Sequence, residues 1–255
     1  MTEAQNPLTP APVAVSVASR DLPTPARALA IGAHPDDVDF GCGATLAKWA
    51  AAGCEVHVLV CTDGSKGTWD PTTDPVALVA RRQEEQRRAA AALGATGEVG
   101  FLGWVDGELD STLEQRAQVA WWIRRTQPDV VLGHDPWKRY RLHPDHRHAG
   151  LLVTEGVVAA RDPLFFPHQE YPHHRPARLL LFEADEPDHV EDVGGFLDAK
   201  LNALLSHESQ FESTMKSASD PNLLAFRQRV EAKLLAAGQA GGAHHAEVFK
   251  LIDDL

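Results

Sequence analysis

Two short clusters carry the residue types that metal-assisted hydrolysis needs. His34-Pro35-Asp36-Asp37 directly follows the apolar run Ala28 to Ala33, where a buried strand would hand over to a loop. His34 and Asp37 offer an imidazole nitrogen and a carboxylate oxygen, both good zinc donors, and Asp36 adds a neighbouring carboxylate that need not bind. The plainer role for an aspartate after a strand is helix capping. The second cluster, His143-Pro144-Asp145-His146, follows a run that ends at Gly133. Proline favours the first helical position, so Pro144 places His143 at the N-cap and His146 three residues later on a neighbouring face. Both imidazoles can then face one point. Asp145 in the first turn also complements the helix macrodipole. Two histidines and one carboxylate leave a coordination position for water, as open catalytic zinc sites do; a closed structural site takes four protein ligands.

The elements that must position these clusters alternate. Ala28–Ala33 reads as a strand and Gly43–Ala52 as a helix stopped at Gly53. Val56–Cys61 is a second strand, Val76–Leu93 a helix closed by Gly94, Val99–Leu102 a strand, Leu113–Thr126 a helix and Val130–Gly133 a strand. This alternation predicts right-handed crossovers and an α/β, Rossmann-like three-layer fold with a mostly parallel sheet covered on both faces. Ligand chemistry then gathers at the carboxyl ends of the strands. Beyond Gly150 the expectations are a helix over Leu151–Ala160, a Pro/His-rich loop over Arg161–Pro176, and a strand over Leu179–Phe182. A solvated acidic loop between Glu183 and Asp192 and helices over Leu197–Leu205 and Leu223–Leu235 complete the chain. Residues 1–26 are Pro- and Ala-rich and are expected to form a flexible N-terminal arm before a single domain over 27–255.

Composition narrows the partners. The 255 residues carry 24 Lys and Arg against 36 Asp and Glu, a net charge of -12, and no basic patch stands out, which disfavours nucleic acid. No stretch approaches the ~20 apolar residues that cross a bilayer, so membrane insertion is not expected. The N-terminus lacks a basic segment and an uninterrupted apolar core, so secretion is not expected either. Cys42, Cys54 and Cys61 are odd in number and sit in apolar sequence, as reduced packing residues of a cytoplasmic protein do.

Ala33-His34-Pro35-Asp36-Asp37 and His143-Pro144-Asp145-His146 together resemble the PIG-L/LmbE-like zinc-dependent N-deacetylases, which act in mycothiol, bacillithiol and glycolipid biosynthesis. Weaker matches lie at Thr62-Asp63-Gly64, at Arg82 with Glu85 before Leu93-Gly94, at Gly103 with Asp106-Gly107, and at Lys200 followed by His207-Glu208-Ser209-Gln210. They span roughly residues 28 to 250. The resemblance implies one zinc ion, with Fe2+ also compatible, held by His34, Asp37 and His146. It implies Asp36 as general base and His143 as the electrophilic or acid partner, kept protonated by a carboxylate such as Asp145. It places Arg82 and Asp106 against a small N-acetylated sugar or glycoconjugate, from which an acetyl group is removed. An amidase of thiol-sugar conjugates would use the same centre. A metal-binding protein without catalysis would need only the ligands, whereas Asp36 and His143 are also present. Assembly into a homo-oligomer is left open.

Other residues admit plainer readings. His207 either lines the site or braces it. His134 and Asp135 end a strand at the same rim, and Trp137, Lys138, Arg139 and Tyr140 follow in a loop that forms a substrate wall or covers the sheet edge. His57 lies within a strand, and His168, His173, His174, His189, His244 and His245 fall in expected loops. Gly41-Cys42-Gly43 suggests a dinucleotide-binding turn, but Leu46 stands where the third glycine is needed.

Overall fold

Arg27–Gly32 forms β2, the strand on which the sheet is centred, and every residue after Arg27 is buried. Its run of small and branched apolar residues suits a strand covered on both faces. The pleat sorts them, Ala28 and Ala30 going to one layer of core and Leu29 and Ile31 to the other. The computed structural model describes residues 17–217 and 223–255.

On one side β2 pairs in parallel with β3 (Glu55–Thr62), which pairs with β4 (Val99–Trp104). On the other it pairs in parallel with β5 (Val130–His134), followed by β6 (Arg178–Phe182). The expected parallel sheet is therefore present, and the strand order reverses between β2 and β5. Such a switch point opens a crevice beyond the strand ends. His34 to Asp37 leave β2 at that crevice, and His134 ends β5 beside it.

Helices α1 (Asp37–Ala51), α2 (Pro75–Ala92) and α5 (Leu197–Leu205) pack on one face through Val38, Leu46, Trp49, Ala89 and Ala203. Helices α3 (Leu113–Thr126) and α4 (Pro144–Arg161) cover the other through Val119, Ile123, Leu152 and Val153. Local signals fix several of these starts. Asp74 caps α2 by accepting from Val76 N at 3.0 Å with Pro75 behind it, and Thr112 with Gln115 forms a capping box on α3. His143 is the N-cap of α4, as Pro144 indicated.

Three expectations need correction. Helix α1 begins at Asp37, not Gly43, because tertiary packing overrides the poor propensity of a stretch holding two glycines. A Cβ on Gly41 would lie 2.5 Å from the Phe182 ring, so this glycine lets α1 approach β6 and does not serve a nucleotide. The acidic stretch is not wholly a solvated loop: His189–Asp192 forms β7, with His189 and Glu191 fully buried and bonded to each other at 2.9 Å. Lys48 takes the other Glu191 oxygen at 2.7 Å, so the buried charge is paired. Ala246–Ile252 forms β8, for which no strand was foreseen; it runs antiparallel to β6 and β7 and joins them into an eight-stranded sheet.

The sheet also reaches into the segment read as an arm. Ser19–Arg20 forms β1, parallel to β7, while residues 1–16 lie outside the described residues. Helix α6 (Leu224–Gly241) runs longer than expected. Cys42, Cys54 and Cys61 are buried and unpaired, in keeping with packing roles. Among the described residues no helix is long and apolar enough to cross a membrane.

Candidate metal centre and cleft

The loop after β2 is tightly held before it reaches α1. Ala33 O accepts from both N and Oγ1 of Thr62 at 2.8 Å, and Asp36 N donates to Gln86 Oε1 at 2.8 Å. Asp36 sits at φ 107, a backbone region that costs a non-glycine residue about 1–3 kcal/mol and persists only where neighbours over-determine it. Arg82 is one such neighbour: its guanidinium donates to Gly64 O at 2.9 Å and Pro35 O at 2.6 Å.

Three side chains bring donor atoms together at the mouth of this loop. His146 Nε2 lies 3.2 Å from His34 Nδ1 and 3.3 Å from Asp37 Oδ1, and His34 Nδ1 lies 3.3 Å from Asp37 Oδ2. The edge of a tetrahedron built on zinc bonds of ~2.0–2.1 Å is roughly 3.3 Å, which the separation of the two imidazole nitrogens matches, while Asp37 presents one carboxylate oxygen to each of them. His134 Nε2 approaches Asp37 Oδ2 at 3.2 Å, and its ring stacks on His146 at 4.6 Å. Asp37, His134 and His146 thus form an overlapping trio, as do His34, His143 and His146.

Carboxylates stand behind His34. Its Nε2 is 3.1 Å from both Asp106 Oδ1 and Asp145 Oδ2, and Asp145 also accepts from Gly107 N at 2.6 Å and Leu109 N at 3.2 Å. Burial pulls the His34 pKa down, but Asp106, Asp145 and Asp37 outweigh it and raise it well above the usual value. Asp37 is pushed up by burial and held well below the carboxylate range by His146 and His134. Asp145, which the resemblance sets beside His143, makes its side-chain hydrogen bond to His34. His143 is exposed in the cleft, and burial of its ring with His34 and His146 nearby lowers its pKa, with Asp145 and Asp106 opposing.

Asp36 makes no contact with the three converging donors that its hydrogen bonds record. Burial raises its carboxyl to about 6, with Asp37 adding to the rise and Arg82, His207 and His34 opposing it. The cleft in front of it measures about 470 Å³, in the range of small-molecule sites, and is lined by His34, Asp36, Asp37, His143 and His146 among others. Arg82 and Asp106 line it too, but much of their bonding capacity is already used: Asp106 binds His34 and accepts from Lys66 N at 3.1 Å, and Arg82 braces the Asp36 loop.

Of the two roles open to His207, the geometry shows the bracing one. Its Nε2 lies 2.9 Å from Asp39 Oδ2, and Gln86 links Asp39 to the Asp36 backbone. Gln86 and Glu183 were missed. Gln86 looked like one more polar residue of a charged helix, and Glu183 was absorbed into the acidic stretch. Glu183 follows β6 beside the cleft and takes Arg141 at 2.7 Å, while Arg141 reaches His146 Nδ1 at 2.8 Å.

The family profile described as PIG-L, GlcNAc-PI de-N-acetylase, matches residues 29–157, which include both clusters. A diacetylchitobiose deacetylase of Thermococcus kodakarensis is 34% identical over 230 residues, 89% of this chain and 83% of that protein. The chain belongs to the PIG-L family. Another relative, 32% identical over 74% of this chain and 82% of its own length, is a 1D-myo-inositol 2-acetamido-2-deoxy-alpha-D-glucopyranoside deacetylase of Actinosynnema mirum. Among solved structures, the N,N'-diacetylchitobiose deacetylase of Pyrococcus horikoshii with its inhibitor MPG superposes with a TM-score of 0.81 at 29% identity, covering 90% of this chain and 84% of that one. A 4-carboxy-2-hydroxymuconate hydratase of Pseudomonas putida, 23% identical with a TM-score of 0.72, covers 89% of this chain and 95% of its own; it shares the fold alone. The PIG-L fold therefore accommodates more than one reaction, and the site has to decide.

Proposed function

We propose that this PIG-L protein is a zinc-dependent N-deacetylase that releases acetate from an N-acetylated amino sugar or small glycoconjugate. The reading is carried by one observation: His34 Nδ1 and His146 Nε2 lie 3.2 Å apart, each with one oxygen of the Asp37 carboxylate 3.3 Å away, and the carboxylate of Asp36 lines the same cleft. The names of the relatives support the substrate class.

A zinc ion held there supplies Lewis acidity, acidifying a bound water and polarising the acetamide carbonyl. The rest falls to this chain. Asp36 is fixed by Gln86 and Arg82 and accepts the water proton, then returns it to the departing amine. His143, exposed in the cleft, donates an N–H to the carbonyl oxygen as negative charge builds on it. Asp106 and Asp145 hold the far nitrogen of His34 and so set its ring orientation and tautomer. His134 does the same for Asp37. Arg82 keeps the Asp36 loop in its strained conformation and, with Asp106, walls the space for the sugar.

The test is amine release from N,N'-diacetylchitobiose and N-acetylglucosamine glycosides by the purified protein, before and after chelation and after zinc is restored. Release that chelation stops and zinc recovers is the expected result; release indifferent to the chelator contradicts the reading.

A further inference from the structure

A second cavity of about 160 Å³ lies beside the cleft, and Phe40 and Glu183 form walls of both. Three lysines from different parts of the chain meet in it: Lys138 from the loop after β5, Lys200 from α5 and Lys233 from α6. In a chain of net charge -12 this local excess runs against the average.

The carboxylates facing the cavity do not neutralise it. Glu247 takes Lys200 Nζ at 2.6 Å and the backbone N–H groups of Ala44 and Thr45 at 3.1 and 2.8 Å. Glu183 is bound by Arg141, which adds a further cation behind the wall. Lys138 donates to Glu183 O at 2.7 Å and Lys200 to Phe40 O at 2.8 Å, each using only part of an ammonium that carries three donors. Lys233 makes no hydrogen bond or salt bridge among the described residues. Much of the remaining lining is apolar, from Val230, Leu234, Ala237 and Val248. Apolar walls lower the local dielectric and strengthen the pull of spare ammonium groups on an anion.

We propose that this cavity is an anion subsite, seating a carboxylate or phosphate carried by the substrate at a distance from its acetamide. The inference rests on the deacetylase reading of the adjoining cleft and narrows it, from amino sugars in general to those with an acidic substituent. Lys138 and Lys233 supply the free donors, and Lys200 is the fixed charge beneath them.

Three probes separate the possibilities: the neutral methyl glycoside of N-acetylglucosamine, its glycoside with glycolic acid, and N-acetylglucosamine 1-phosphate. With the zinc-loaded protein, kcat/KM for at least one acidic probe is expected to exceed that of the neutral one by about tenfold, the scale of one charge-assisted hydrogen bond. Whichever acidic probe is favoured identifies the group. In Lys233→Gln and in Lys138→Gln with Lys233→Gln that ratio falls toward one, while Lys233→Arg retains it. No preference for either acidic probe, or a preference that survives the double variant, overturns the proposal. If none of the probes releases amine, the deacetylase reading fails, and calorimetric titration with inorganic phosphate decides the cavity by itself. Binding weakened about tenfold by Lys233→Gln supports the subsite. Absent binding, or binding unchanged in the variant, overturns it.

Discussion

Asp145 Oδ2 lies 3.1 Å from His34 Nε2, so the nitrogen of His34 opposite the converging donors is held by a fully buried carboxylate. Asp145 is itself pinned by the backbone N–H groups of Gly107 and Leu109, which ties the first turn of α4 to the loop after β4 and, through His34, to the end of β2. Three crossovers thus meet at one imidazole.

Removing the charge from that support should loosen the metal more than the fold. Asp145→Asn is expected to weaken zinc affinity by about 10- to 100-fold, the usual effect of losing an outer-shell partner. Competition against a chromophoric chelator measures it, with circular dichroism as the check that the fold persists; unchanged affinity would show that Asp145 does not position His34.

Asp36 is next to a proposed ligand without joining it. Asp36→Asn should therefore keep zinc content at the wild-type level while lowering amine release by about 10²- to 10⁴-fold, the range for a lost general base. Elemental analysis and the amine assay on one preparation read both quantities. Full activity in the variant would remove Asp36 from the proton path.

Arg124 presents a test of the scaffold alone. It is buried beneath the end of α4 and donates to Ala159 O, Ala160 O, Asp162 O, Phe165 O and Phe166 O, closing the C-terminus of that helix and the turn after it. Arg124→Ala leaves these carbonyls without donors and should cost roughly 3 kcal/mol or more. Lys restores only a point charge with three donors, so Arg124→Lys should recover little of it. Urea unfolding midpoints decide; a loss below about 1 kcal/mol contradicts this role.

His57 gives the fold a pH dependence of known sign. Burial lowers its pKa, with Glu55 and Glu98 opposing, and its Nδ1 accepts from Glu98 N at 2.9 Å, which requires the unprotonated form. Above ~6.5 both folded and unfolded forms are neutral there and the contribution is complete. As pH falls through that value the unfolded chain takes the proton first, so stability declines toward the lower folded pKa. His57→Asn keeps an acceptor and removes the titration. Its unfolding midpoint should fall less than that of the wild type between pH 7 and 5, and an equal fall would exclude His57 as a contributor.

Much of the fold was legible because β2, β3 and β5 each carry an apolar run, as strands buried on both faces must, and because Asp74-Pro75, Thr112-Gln115 and Pro144 mark helix starts locally. The edge beyond β6 was not. His189 and Glu191 look like surface residues until each is seen to satisfy the other and Lys48, and that pairing exists only after Ser19–Arg20 and β8 have closed around them. The two clusters stood out from their composition and their place after strands, while their convergence depends on β2 and β5 being neighbours. The partner of Asp145 could not be read from spacing: His143 is two residues away and His34 more than a hundred, yet the crossover brings the distant one into contact.

The central claim is that His34, Asp37 and His146 hold one zinc ion. An anomalous difference map at the zinc edge from crystals of the zinc-loaded protein tests it most directly. The account predicts a single strong peak within bonding distance of all three side chains, with Asp36 outside that distance. A map without a peak there, or with zinc bound only at another set of residues, would contradict it.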